Sequence, residues 1–152
     1  MTWKFPESVL VVVHTPDLRV LMLERIGRNG WWQSVTGSRE PEDATIADIA
    51  RREVAEETGL QAGDDGVSLP VDLALANRYP IVGPWRHRYA PDVTHNLEHT
   101  FAVTVETPRL VRLSPDEHTR YQWVGWREAI ERCWSQTNRA AIRHVARRLG
   151  AG

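Results

Sequence analysis

The sequence predicts an α/β sandwich, with strands interrupted by one central helix and followed by two more helices at the C-terminal end. Three observations carry that expectation. Ser8-Val-Leu-Val-Val-Val-His14 is a continuous apolar run, as expected of a strand buried on both faces. Between Thr45 and Thr58, the apolar residues Ile46, Ile49, Ala50 and Val54 recur at helical spacing. Near the C-terminus Ile142, Val145 and Leu149 share one face of a stretch from Asn138 to Leu149. A chain of 152 residues fits one domain, 1–152, with a real core.

The other elements follow in order. Pro16-Asp17 makes a turn after the first strand, and Arg19 to Arg25 reads as a second. Gly27 to Gly30 is a loop, and Trp31 to Thr36 a short strand delivering the loop at Gly37. Gly59 stands where the central helix needs a left-handed C-cap. Gly63 to Pro70 is a polar loop, followed by a strand over Val71 to Leu75. Tyr79 to Asn96 carries Pro80, Gly83, Pro84 and Pro91 among many rings, and reads as a long excursion of the kind that often serves function. His99 to Val105 and Tyr121 to Val124 are further strands, and Arg127 to Trp134 a helix.

Composition excludes several classes. The apolar and charged fractions are those of an ordinary globular protein, and the net charge of −1 offers no field for nonspecific nucleic-acid or membrane binding. Cys133 is alone, so there is no internal disulfide framework; the chain is expected in a reducing cytoplasm, with Cys133 as a half-buried apolar side chain. The run Val9 to Val13 is too short to span a bilayer, and neither a basic leader nor a cleavage site surrounds it. Repeats, low-complexity tracts and linkers are not evident, nor is an obligate protein partner. Seven tryptophans are many for this length; most are expected in the core, with one or two free to stack on a flat ligand.

Arg52-Glu-Val-Ala-Glu-Glu-Thr-Gly-Leu60 carries the chemistry. Glu53, Glu56 and Glu57 fall on one strip of the helix, where like charges repel unless a cation compensates them. Mg²⁺, with its preference for carboxylate, water and phosphate oxygens, suits such a strip. A lone pair of glutamates at this spacing would more often be a solvated helix face. The context upstream, Gly37-Ser-Arg-Glu-Pro-Glu-Asp43, argues otherwise. Asp43 itself is well placed to be the helix N-cap.

Glycine, a loop, then a helix ending R-E-V-x-E-E-x-G-L resembles the Nudix box, the signature of Mg²⁺-dependent hydrolases of nucleoside diphosphates linked to another group. The resemblance implies a Nudix-like α/β/α sandwich with a mixed sheet. Between Gly37 and Arg52 this chain has one residue more than the family pattern, so that the acid of the loop is Asp43 or falls on Ala44.

Other segments narrow the resemblance. Trp32-Gln-Ser-Val-Thr-Gly-Ser38, Arg86-His-Arg-Tyr-Ala-Pro91, Glu117-His118 before Tyr121-x-Trp123, and Ser135 with Asn138-Arg139 are similar to the bacterial dihydroneopterin triphosphate diphosphatase family, in the same order along nearly the whole chain. That branch cleaves a pterin triphosphate to the monophosphate and pyrophosphate in folate synthesis. Carried over residue by residue, it implies metal ligands at Glu53, Glu57 and the more distant Glu117, with Glu56 a further ligand or proton acceptor. Lys4, Arg25, Thr36, Tyr79, Pro80, Ile81, Val82 and Ser135 fall on its substrate-contacting positions. Glu53 and Glu56 are both candidates for the base that activates water. Mg²⁺ is the implied cofactor, with Mn²⁺ an alternative.

Plainer readings stand beside these. Lys4 and Arg25 suit strand ends as surface charges, Thr36 suits a strand, and Arg86 to Arg88 a solvated loop. Ser135 is a candidate cap of the last helix, although Thr137 or Asn138 is the better one. His14, His95, His99 and His144 lack metal-binding spacing and read as structural or surface residues. Two rivals remain for the function: a Nudix hydrolase of nucleoside triphosphates or dinucleoside polyphosphates, and a ligand-sensing module of the same fold without catalysis. An intact R-E-V-x-E-E opposes the second, since nothing else compensates its clustered charge.

Overall fold

The computed structural model describes residues 2–151. In chain order the elements are β1 (Glu7–His14), β2 (Arg19–Arg25), β3 (Trp32–Gln33), β4 (Val35–Ser38), α1 (Ile46–Thr58), β5 (Val71–Pro80), α2 (Gly83–Arg86), β6 (His95–Thr104), β7 (His118–Gly125), α3 (Trp126–Arg132) and α4 (Gln136–Arg148). One mixed sheet runs β3-β2-β1-β6-β5, with β4 also paired to β1 and β7 to β2. β1 is parallel to β6 and antiparallel to β2 and β4.

The apolar run of β1 is continuous because both of its faces are covered. Val9, Val11 and Val13 join a core beneath α1 with Ile49, Ala50, Val54, Phe101 and Val103. Leu10 and Val12 point the other way, into a second core with Ala129 of α3 and Ala141, Ile142 and Val145 of α4. This alternation across a strand sandwiched between helices produces the three-layer architecture.

Several local expectations are corrected. Thr45, not Asp43, caps α1: its hydroxyl accepts the Asp48 amide at 3.2 Å while the Asp48 carboxylate accepts the Thr45 amide at 2.9 Å. Asp43 is instead buried two residues upstream, gripped by the Arg52 guanidinium at 3.1 and 2.7 Å. Ser135 caps α4, accepting the Asn138 amide at 3.4 Å. Asn138 is unavailable for capping because its buried amide holds Ser34 across the fold at 2.8 and 3.0 Å. α3 stops at Arg132, two residues before Trp134, as Cys133 leaves helical geometry to bridge Trp32.

The excursion after Tyr79 is shorter than expected. Tyr79 pairs with Asn96 and Pro80 with His95, so β5 and β6 continue as a ladder and leave only residues 81–94 outside it. Proline is tolerated there because β5 is an edge strand. The tryptophans are mostly not core residues. Only Trp32 is fully buried, Trp123 and Trp126 pack partly against the two cores, Trp31 stacks on Trp134 at 4.6 Å, and Trp3 and Trp85 are exposed.

Candidate active site

α1 ends at Gly59, whose φ of 77° is the left-handed cap the sequence requires, and its last two turns carry the glutamates. Glu53 and Glu57, four residues apart, are both buried, and each shifts the other's carboxyl. Glu53 lies directly over Gly37 of β4: a Cβ at residue 37 would overlap the carboxyl group. Glycine is therefore needed here for close approach, not for an unusual backbone angle. Glu56 does not join them. It is exposed and faces Arg52 at 3.3 Å.

Arg52 organises this end of the helix. Its guanidinium reaches Asp43, the Ser38 carbonyl at 2.9 Å, Glu53 Oε1 at 2.7 Å and Glu56. The loop with the extra residue is thus tied to α1 by Asp43, and Arg39 closes it further by donating to the Asp43 and Ala44 carbonyls at 3.1 and 3.0 Å.

Burial is the first influence on the titration of both carboxyls. Desolvation pushes the Glu53 carboxyl up, and Glu57 well up, the latter further through Glu53 and Glu117 and held back by the Thr36 amide. His118, at the start of β7, is buried beside them, and desolvation followed by Arg25 lowers its imidazole to about 4. Its Nδ1 lies 3.9 Å from Glu57 Oε1, but with a neutral ring this is not an ion pair. Both atoms are buried without a hydrogen-bond partner. Ligand atoms of Glu57, Glu117 and His118 all fall within 4.8 Å of one another. The orphaned Glu57 oxygen, beside Glu53 and Glu117, fits a hard divalent cation, and the His118 nitrogen suits a transition metal better than Mg²⁺. His118 was not among the residues singled out as ligands. One histidine has no spacing signal, and only the pairing of Arg25 with His118 brings it to the helix.

The implied substrate residues divide into two groups. Lys4 is half-buried, with its ammonium lowered by desolvation and by Arg88 and Arg25, and supported by Glu53. Those four groups accordingly share one electrostatic neighbourhood at the end of the sheet. Lys4 also receives backbone support from the Arg88 carbonyl at 2.8 Å, and with His87 and Arg88 it lines a cleft of about 340 Å³. Arg86 does not face it, its guanidinium being spent on the Val93 and Pro91 carbonyls. Thr36 connects to the glutamates through its amide, and its hydroxyl accepts from Gln33 at 3.3 Å. Tyr79 and Ser135 form the second group, on the α4 side of the sheet. Tyr79 Oη accepts from Asn96 at 3.0 Å, and the Ser135 hydroxyl lies 3.0 Å from that of Thr137. Pro80 and Val82 are exposed, and Ile81 is half-buried.

A glycine-delivered loop, a helix ending in a buried glutamate pair and a distant third acid define the pattern, and the model of the NUDIX domain matches residues 4–148. The chain belongs to the Nudix family. Divalent metals serve this family, in keeping with the orphaned donors. The chain is 40% identical over 144 residues to dihydroneopterin triphosphate diphosphatase of Haemophilus influenzae, covering 94% of this chain and 89% of the relative. It is 38% identical over 141 residues to the protein of the same name from Escherichia coli, covering 92% and 91%. The solved structure of the E. coli dihydroneopterin triphosphate pyrophosphohydrolase superposes with a TM-score of 0.80 at 36% identity, over 94% of this chain and 96% of that one. No helix among the described residues of this Nudix protein is long and apolar enough to cross a membrane.

Proposed function

We propose that this Nudix protein is a single-domain cytoplasmic hydrolase that cleaves 7,8-dihydroneopterin triphosphate to the monophosphate and pyrophosphate in folate biosynthesis. The observation carrying the substrate is the similarity to two diphosphatases of that name along nearly the whole of each chain. Its small-molecule substrate needs neither nucleic acid nor membrane.

Glu53, Glu57 and Glu117 would hold Mg²⁺ through carboxylate oxygens, with Mn²⁺ an alternative; His118 borders the site. When bound, the ion neutralises phosphate charge and acidifies coordinated water. The remaining work belongs to the chain. Lys4 and Arg25 bring positive charge to the phosphates beside Glu53 and His118, and Arg88 adds a guanidinium suited to paired contacts with phosphate oxygens. Glu53 is better placed than Glu56 to take the proton of the attacking water. Burial raises its affinity for a proton, and Oε2 is the oxygen not engaged by Arg52. Glu56, exposed beside Arg52, helps to hold that guanidinium in position.

The test is a panel of triphosphates incubated with Mg²⁺, with every product identified. Monophosphate and pyrophosphate from the pterin, at kcat/KM above those of common nucleotides, is the expected result. A tenfold preference for a common nucleotide overturns the substrate and leaves hydrolysis standing. Tight binding without turnover of any member makes the protein a ligand sensor.

A further inference from the structure

Four buried side-chain atoms among the described residues lack a hydrogen-bond partner, and only Glu57 Oε1 and His118 Nδ1 belong to the metal site. The other two, Asn96 Oδ1 and Glu98 Oε1, lie on β6. Phe101 and Val103 of that strand pack under α1 and Ala102 packs towards α4, so alternation places Asn96 and Glu98 on the α4 face. Both are more than nine-tenths buried, at 2% and 7% exposure. Asn96 donates to Ser8 Oγ at 2.8 Å and to Tyr79 Oη at 3.0 Å, which commits its amide nitrogen and leaves the oxygen without a donor. Thr137, at the start of α4, supports the Glu98 carboxyl. Two unpaired acceptors, two residues apart on one face of a strand, are costly unless something else supplies donors.

Register relates this pair to the glutamates. Ser8 pairs with Glu98 on one side and with Ser38 on the other. Neighbouring strands are about 4.8 Å apart, so Glu98 and Ser38 lie roughly 10 Å from each other across β1. Ser38 adjoins Gly37, whose α1 face carries Glu53, so the pair and the glutamates lie on opposite faces near the same end of the sheet. A substrate that rounds this end would have its ring on one face and its terminal phosphates on the other.

We infer that Glu98 and Asn96 read the ring of the substrate, accepting the adjacent N–H donors of a 2-amino-4-oxopyrimidine edge. Pterin and guanine share this edge. Adenine turns a ring-nitrogen acceptor towards the same positions and leaves the buried carboxylate facing a lone pair, which a site of this kind rejects. The assignment rests on the triphosphate-hydrolase reading above and adds the groups that choose the heterocycle.

The experiment measures kcat/KM for dihydroneopterin triphosphate, GTP and ATP in the parent and in Glu98→Gln, together with metal-free binding of neopterin and of adenosine to the parent. Replacing one acceptor by an amide donor should lower kcat/KM for the preferred 2-amino-4-oxo substrate by about tenfold or more, mainly through KM, and by less for ATP. The parent should bind neopterin and discriminate against adenosine. Equal losses on all three substrates, no loss, or equal affinity for neopterin and adenosine would overturn the role of Glu98. A parent that prefers GTP to the pterin, with that preference lost in Glu98→Gln, overturns the pterin substrate and upholds the ring-reading pair. Pterin hydrolysis indifferent to Glu98→Gln does the reverse.

Discussion

Glu57 is almost wholly buried, and one of its oxygens has no partner. Its carboxyl is pushed up by burial and by Glu53. Glu57→Gln should therefore leave the metal-free melting temperature unchanged or raised, because a buried repulsion disappears. Activity should fall roughly a hundredfold or more if the residue positions the metal. Near-normal turnover with Mg²⁺ at unchanged melting would end its assignment. Gly37 offers a complementary check. Its backbone accepts alanine, yet the new methyl group would displace the Glu53 carboxyl. We expect Gly37→Ala to stay folded and to lose about tenfold to a hundredfold in kcat, since small misplacements of catalytic groups are costly. An unaltered kcat would mean that the position of Glu53 is unimportant.

α1 and its approach show how far neighbouring residues reveal an element. Its apolar spacing and Gly59 are local signals, and the helix appears where they place it. Its start is shifted because two acids competed for one reading. Asp48, three residues after Thr45, completes a capping box, whereas Asp43 is drawn off by Arg52 from the next turns of the helix. Thr45→Ala should cost about 1 kcal/mol, a fall in melting temperature of roughly 2–4 °C, with turnover at saturating Mg²⁺ unchanged. Thermal unfolding decides it: no change in melting would return the cap to Asp43. Ser135 repeats the lesson at α4. Asn138 is as good a cap as Ser135 by propensity, but it is committed to Ser34 from a distant part of the chain.

The fold as a whole links protonation, metal and stability. Glu53 and Glu57 have folded-state values raised above the ordinary 4.5. A raised carboxyl favours the folded state when protonated, so this contribution is complete below about 4.5 and is lost as pH rises through the folded-state values. Metal-free protein should thus lose stability as pH climbs from mildly acidic towards neutral. A cation that binds only the folded state should reverse the trend, adding about 2.7 kcal/mol at a hundredfold excess over its Kd. That corresponds to a rise of roughly 5–11 °C in melting temperature, larger at neutral than at acid pH. Melting curves with and without Mg²⁺ across that range provide the check. A cation effect independent of pH would show that the buried carboxyls are not its ligands.

What could be read along the chain was what depends on near neighbours and on repeating patterns. The both-faces-buried strand, the amphipathic helix, its glycine stop and the glutamates at helical spacing all express periodicity, which the backbone geometry of each element imposes locally. The motif order along the chain also pointed to the Nudix family. Other features depend on pairing between distant segments. Glu56 faces solvent beside Arg52, His118 reaches Glu57 only through the register of β2 with β7, and Asn96 meets Ser8 and Tyr79, and Glu98 Thr137, only where strands and α4 converge. Register fixes such neighbours because a shift of one residue would turn every side chain of a strand to the other face. No short stretch of sequence records that choice; it is made by burying two apolar faces at once.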